Sequence, residues 1–267
     1  MQKLSKKTRL EKVCSVAIIG KGRVGGSLAK RLSDGLPGYR LHSFLSARSA
    51  NFRKLSGVDG PEVIIIASRD AAIATTSKLA VQVAGPNLRL IVHTAGSLPS
   101  SILPKRKDLL RLTLHPIQSF PKVDANLLSN ITFMAASKDS GAIKWARNFT
   151  KALQANDLLR LSDDALPLYH AILVFAGNFT TLLGGVVEAL SAQLGIAPKR
   201  IKKAIAPLML NSVRNVLQDS AKNVLTGPIA RKDLATIRRH QKALANVSPE
   251  IRKLYDAFVL FGLHDKV

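Results

Sequence analysis

The sequence predicts an α/β fold: a doubly wound parallel sheet followed by an all-α C-terminal region. Three observations point there. Over the first 160 residues, apolar β-branched runs alternate with helical patterns, the signature of strands joined by crossover helices. One run, Glu62-Val63-Ile64-Ile65-Ile66-Ala67, is nearly unbroken in apolar character, as a strand buried on both faces requires. From Asp163 onward strand-like runs vanish and long helical patterns take over.

Element by element, strands are expected at residues 13–19, 39–46, 62–67, 88–94, 110–115, 131–136 and 158–162, with helices at 24–33, 71–83 and 141–153. Residues 165–194 read as one long helix, kinked near Gly184-Gly185. Ile201, Ile205, Leu208 and Met209 mark another that ends near Leu217. Shorter helices are expected at 233–244 and 249–260, the latter with Ser248 as N-cap. The expected division is a basic arm at 1–12, a dinucleotide-binding domain at 13–163 and a helical substrate and dimerisation domain at 164–267.

At 267 residues the chain is long enough to bury a full core, and 46% hydrophobic against 21% charged residues places it among globular proteins. No run of about 18 or more apolar residues is present, so no membrane span is expected. The polar, basic N-terminus lacks the apolar stretch of a secretory signal. Cys14, the single cysteine, can form no internal disulfide and reads as an inert thiol in the first strand. A cytoplasmic location is the expectation.

The formal charge of +23 is spread along the chain, with 26 Lys and Arg against 10 Asp and Glu over residues 1–163 and 14 against 7 over residues 164–267. Aromatic residues make up only 5%, and no zinc-finger or RNA-recognition signature appears, so a specific nucleic-acid partner is not expected. The charge reads instead as steering for an anionic cofactor and substrate. The histidines lack metal-ligand spacing, so no metal is expected.

The chemistry begins at Ile18-Ile19-Gly20-Lys21-Gly22-Arg23-Val24-Gly25, a strand running into a G-x-G-x-x-G turn and a helix. Gly20 permits the tight turn, Gly22 lets the backbone approach a pyrophosphate, and Gly25 lets the helix pack on the strand. Free N–H groups and the dipole of the helix start then favour phosphate. The alternative is a purely structural strand-to-helix turn. After the second strand comes Ser46-Ala47-Arg48-Ser49, with no carboxylate to hold the ribose hydroxyls of NAD. A guanidinium suits a 2′-phosphate, so NADP is the expected cofactor. Its expected contacts are Gly20, Gly22, Arg23, Val24, Gly25, Ser46, Arg48, Ser49 and Ser68.

Later strand ends carry the substrate candidates. Asp70, in Ser68-Arg69-Asp70, is expected to cap the following helix. Ser97, in His93-Thr94-Ala95-Gly96-Ser97, belongs to a plain or a substrate-facing turn. The rigid segment Leu114-His115-Pro116-Ile117-Gln118-Ser119-Phe120-Pro121 puts His115 and Gln118 at the mouth of the sheet. In the first long helix His170, Val174, Gly177 and Thr181 share a stripe with Asn178 at its border, either satisfied core polar groups or residues facing a cleft.

Taken together, Gly20 to Gly25, His93 to Ser97, Leu114 to Pro121, Tyr169-His170 with Asn178, and Thr226-Gly227-Pro228-Ile229-Ala230-Arg231 resemble an uncharacterised bacterial family. Its members carry a Rossmann-like domain followed by a helical domain of unknown function. The family is related to pyrroline-5-carboxylate reductase, prephenate dehydrogenase and the β-hydroxyacid dehydrogenases. The resemblance spans Val13 to about Leu260. It implies an NADP-binding domain, dimerisation through the helical domain, and a small-residue loop, with Thr226, that reaches a substrate cleft. The chain departs from the family at Lys232, where relatives usually have Gly, and at Arg69, where they usually have Pro.

The functional expectation is an NADP-dependent oxidoreductase that reduces a C=O or C=N bond of a small anionic metabolite. His170 is the candidate acid/base, since a histidine titrates near neutral pH. Asn178 orients or polarises the substrate, and His115, Gln118, Ser97 and Thr226 position it. The alternative is a non-catalytic NADP-binding sensor or scaffold; a weaker one is a nucleic-acid-binding protein on the same fold.

Overall fold

The computed structural model describes residues 13–48 and 52–264, so the basic arm and Ser49 lie outside the described residues. Strands β1 (Cys14–Ile19), β2 (Tyr39–Leu45), β3 (Val63–Ile66), β4 (Leu90–His93), β5 (Leu110–Pro116), β6 (Thr132–Ala136) and β7 (Asp157–Arg160) form one sheet in the order β2-β1-β3-β4-β5-β6-β7. Each falls on an expected strand, with ends that differ by at most two residues. The sheet is parallel from β2 through β5. It is not parallel throughout: β6 runs antiparallel to β5, and β7 follows β6. The β5–β6 connection holds a short 3-10 turn, Ala125–Leu128, in place of a crossover helix, so the chain re-enters the sheet from the edge it has just left.

Helices α1 (Arg23–Ser33), α2 (Asp70–Val83) and α3 (Ser140–Ala152) cover the sheet on both faces. Residues alternating along the strands sort into two cores. Val16, Ile18, Val63, Ile65, Val92, Leu112 and Leu114 pack with Leu28 and Leu32 of α1 and Ala146 and Phe149 of α3. Ala17, Ile19, Ile64, Ile66 and Ile91 pack with Ile73 and Ala80 of α2. All four residues of β3 are buried, which is why that strand reads as an unbroken apolar run. Each buried isoleucine contributes roughly 1.5–3 kcal/mol.

The sheet ends at Arg160, and a helical stretch runs from Asp163 to Gln193. It comprises a 3-10 turn, α4 (Leu166–Leu173), a π-helical segment (Val174–Phe179) and α5 (Thr180–Gln193). The irregularity thus lies at 174–179 and not at Gly184-Gly185, which α5 absorbs. Because a π-turn closes i to i+5, the expected stripe of His170, Val174, Gly177 and Thr181 loses its register after Val174. The stretch is also long and apolar enough, by length and composition alone, to cross a membrane, which the expectation of no such run missed. Ser, Thr, Asn and His break its apolar runs in the sequence without lowering its average.

By compactness the chain forms two units, one up to Ala176 and one from Gly177. After α5, the second unit holds α6 (Pro198–Gln218), the short α7 (Ala221–Val224) and α8 (Gly227–Ala230), α9 (Leu234–Ala245) and α10 (Pro249–Leu263). Ile237 of α9 and Val259 of α10 are its buried apolar anchors. Ser248 caps α10 as expected, accepting from the Ile251 N–H at 3.2 Å. Lys232 sits at φ 51°, in the left-handed region that favours glycine.

Candidate functional site

Strand order reverses direction at β1, whose neighbours β2 and β3 both follow it in sequence, and ligands of such sheets bind beyond the carboxyl ends of the strands at that point. A cavity of about 680 Å³ opens there, lined by the turns after β1 (Gly20, Lys21, Gly22), β2 (Ser46, Ala47, Arg48) and β3 (Ala67, Ser68, Arg69), and by Ala71 and Ala72 of α2. Its three charged lining residues are cations and none is a carboxylate, so it suits an anion. Gly22 is the N-cap of α1 and offers no side-chain cap, and the first turn of α1 has no acidic residue. The first N–H groups of α1 are therefore available to a phosphate.

The three glycines of the turn sit in different steric surroundings. Gly20 adopts φ 128°, and a Cβ there would lie 2.3 Å from the Ala67 carbonyl oxygen. A Cβ on Gly25 would lie 1.9 Å from the Gly20 carbonyl oxygen. At Gly22 the nearest atom is 4.0 Å away, which leaves the open cradle a pyrophosphate needs. The site fits a dinucleotide.

Around this cradle the side chains differ in how committed they are. Arg48 is exposed, and its N–H donates to Ser46 Oγ at 3.3 Å. Ser68 Oγ donates weakly to the Arg69 carbonyl at 3.4 Å. Arg23 donates to the Phe120 carbonyl at 3.3 Å, tying the segment after β5 to α1, and Val24 packs against the core. Asp70 is not the N-cap of α2. Arg69 holds that position at φ −62°, a value proline also adopts, and makes no side-chain cap. Asp70, one residue inside the helix, accepts instead from Ser97 Oγ at 3.3 Å.

That bond links the cradle to a second cluster at the ends of β4 and β5. His93 is fully buried. Its Nδ1 accepts from the Ala95 N–H at 3.3 Å, so its proton sits on Nε2, which lies 3.2 Å from the Pro99 carbonyl and 3.0 Å from Thr113 Oγ1. Thr113 donates in turn to the Leu98 carbonyl at 3.1 Å. Burial, offset in part by its bond to the Pro99 carbonyl, pushes the His93 pKa down to about 4. A neutral His93 thereby pins the turn that carries Gly96 and Ser97.

Gly96 faces two imidazoles. An ideal Cβ on it would lie 2.9 Å from His170 Cδ2 and 3.1 Å from both Cδ2 and Cε1 of His115. The two rings stand edge to face with centroids 6.2 Å apart. His115 Nδ1 is 2.8 Å from the Tyr169 hydroxyl, and that ring is also edge-on, at 5.9 Å. Tyr169 is buried with Leu166 against Met134 and Ala136. Burial first, then the nearby His170 and His93, pushes the His115 pKa down to about 4, and burial raises that of Tyr169. His170 is half-buried, and among the described residues neither of its ring nitrogens has a hydrogen-bond partner.

Residues 131–260 match a domain family described as a domain of unknown function, DUF2520. Among solved structures the chain is similar to a candidate NADP oxidoreductase from Bacteroides fragilis, at TM-score 0.75 and 21% identity over 96% of this chain and 100% of that one. It is similar as well to the pyrroline carboxylate reductase of Plasmodium falciparum with NADP bound, at TM-score 0.58 and 12% identity over 94% and 98% of the two chains. The imine reductase of Streptomyces aurantiacus is alike at TM-score 0.59 and 14% identity over 91% and 93%. These likenesses show a Rossmann-like fold. No curated protein matches the chain.

In this Rossmann-like chain Gly20, Gly22, Ser46, Arg48 and Ser68 of the described cofactor candidates line the cavity, whereas Arg23, Val24 and Gly25 do not, although Gly25 shapes its turn. His115 and His170 come together, with Ser97 on the turn beside them. Gln118 is exposed and accepts from the Ser119 N–H at 2.8 Å. Asn178 and Thr226 belong to the second unit and are exposed there. Sequence reasoning missed Tyr169 as a partner of His115. The two lie 54 residues apart, and the only signal was that a tyrosine preceded the histidine already singled out.

Proposed function

We propose that the protein is an NADP-dependent reductase of a C=O or C=N bond in a small anionic metabolite. Support comes first from the cavity at the switch point, lined by the Gly20–Gly22 turn and three cations without a carboxylate. Gly20, Gly22 and the first turn of α1 would hold the pyrophosphate, and Arg48, with Ser46 beside it, the 2′-phosphate. When bound, the nicotinamide supplies the hydride. His170 supplies the proton to the oxygen or nitrogen being reduced and regains it from solvent; its free ring nitrogens suit that task. His115 and Ser97 position the substrate, with Gln118 as a further contact. The exposed apolar residues of the helical stretch support a homodimer. The same proposal puts the enzyme in the cytoplasm, in keeping with a single cysteine.

The decisive test is nucleotide titration at moderate ionic strength, followed by NADPH oxidation with a panel of keto acids and cyclic imines. NADPH is expected to bind at least about tenfold more tightly than NADH, about 1.4 kcal/mol, and Arg48→Ala to remove most of that difference. His170→Ala is expected to cut turnover by about two orders of magnitude. Equal affinity for the two nucleotides sinks the assignment of Arg48, and no affinity for either sinks the proposal. Tight binding with no oxidation of any panel member favours a sensor.

A further inference from the structure

His115 has two ring nitrogens in different surroundings, and the difference has chemical content. Nδ1 meets the Tyr169 hydroxyl at 2.8 Å. Nε2 meets no hydrogen-bond partner among the described residues, and the ring lies against Gly96, whose missing side chain leaves a space that the His170 ring edge also reaches. A phenol is a stronger donor than a neutral imidazole N–H, and an imidazole nitrogen is a better acceptor than a phenol oxygen. The O–H therefore donates to Nδ1, and the single proton of the neutral ring is left on Nε2.

We infer that Tyr169 is a positioning residue that fixes His115 as the Nε2–H tautomer, so that its Nε2–H, which no described residue engages, is a preset hydrogen-bond donor for an acceptor atom of the substrate. This deepens the reductase proposal and rests on it for the word substrate; the tautomer itself does not. His93 makes the opposing case within the same cluster, because both its nitrogens are consumed by the protein at Ala95, Pro99 and Thr113. Of His93 and His115, only His115 keeps a ring nitrogen that no described residue engages. The groups around it agree: burial keeps the Tyr169 hydroxyl protonated and the His115 ring neutral, and Thr113 is already engaged with Leu98 and His93. A donor there assists either reducible bond, because a carbonyl oxygen, an imine nitrogen and a carboxylate all accept.

The test is the protonation pattern of the His115 ring by proton–nitrogen correlation on the full chain at pH 7, without nucleotide, with His115→Gln to assign the signal. Wild type is expected to carry the proton on Nε2 and an unprotonated, hydrogen-bonded Nδ1. Tyr169→Phe keeps the buried ring and removes only the hydroxyl. The ratio of Nε2–H to Nδ1–H is then expected to fall by about three- to tenfold, the worth of one ordinary hydrogen bond. An Nδ1–H ring in wild type overturns the inference, and that outcome is readable even if the variant does not fold. An unchanged ratio in folded Tyr169→Phe overturns it equally. Because no nucleotide is present, either result stands apart from the titration that judges the reductase proposal.

Discussion

Gly22 and Gly25 stand three residues apart in one turn, yet a methyl group would meet opposite fates at the two positions. At Gly22 the backbone has φ −77° and the nearest atom to an added Cβ is 4.0 Å away, so alanine fits without disturbing the fold. At Gly25 the Cβ would lie 1.9 Å from the Gly20 carbonyl oxygen and 3.1 Å from the Ala67 Cβ, so the backbone has to shift. Gly22→Ala is expected to leave Tm within about 2 °C while weakening NADPH binding tenfold or more, because its methyl occupies the cradle and nothing else. Gly25→Ala is expected to cost about 3 kcal/mol and to lower Tm by roughly 6–12 °C. Thermal melts with and without NADPH check both, and equal melting temperatures for the two variants would show that the turn does not have this geometry. Residue types alone made the glycine roles legible, since each follows from steric necessity within a known turn. The Asp70 bond was not legible, because capping and bonding to Ser97 need the same side chain and only the folded backbone shows which partner is in reach.

At the scale of elements, β4 ends in His93 and β5 carries His115 one residue before its end, and their desolvation makes them acid-labile parts of the fold. The ordinary histidine value of 6.5 falls to about 4 in both, so the unfolded chain binds these protons first as pH drops. Their contribution is complete above about pH 6.5, is lost between there and pH 4, and levels off below. At pH 4.5 the loss is about 2–3 kcal/mol per histidine. Urea denaturation at pH 7.5 and 4.5 is expected to show it, with a smaller drop in His115→Gln; a stability flat across that range would contradict the burial. Strand positions themselves were readable, because a strand covered by helices on both faces is apolar at every position, as in Val63–Ile66. The reversed direction of β6 was not, since side-chain alternation is the same for a strand run either way. The π segment was equally silent: an extra residue in a helical turn changes register without changing composition.

For the whole molecule, the unsettled surface is the helical stretch Asp163–Gln193, whose length and mean hydropathy of 1.6 over its most apolar window would also suit a membrane. Leu168, Ile172 and Phe175 recur at i, i+4 and i+7 and are 71, 57 and 66% exposed; Leu182 beyond the π segment is 62% exposed. A face of this kind is expected to be covered. The same stretch begins, however, inside the protein core: Leu166 is fully buried, and Tyr169 packs on β6 while its hydroxyl meets His115. The proposed homodimer covers that face with a second copy of the chain. Light scattering in detergent-free buffer is expected to give twice the chain mass at micromolar concentration. Leu168→Asp combined with Leu182→Asp is expected to give the single-chain mass, with far-UV circular dichroism retained, because two charges would be buried unpaired in the dimer but remain in water in the monomer. A wild-type monomer at that concentration removes the dimer, and a wild type that needs detergent to stay in solution returns the stretch to the bilayer.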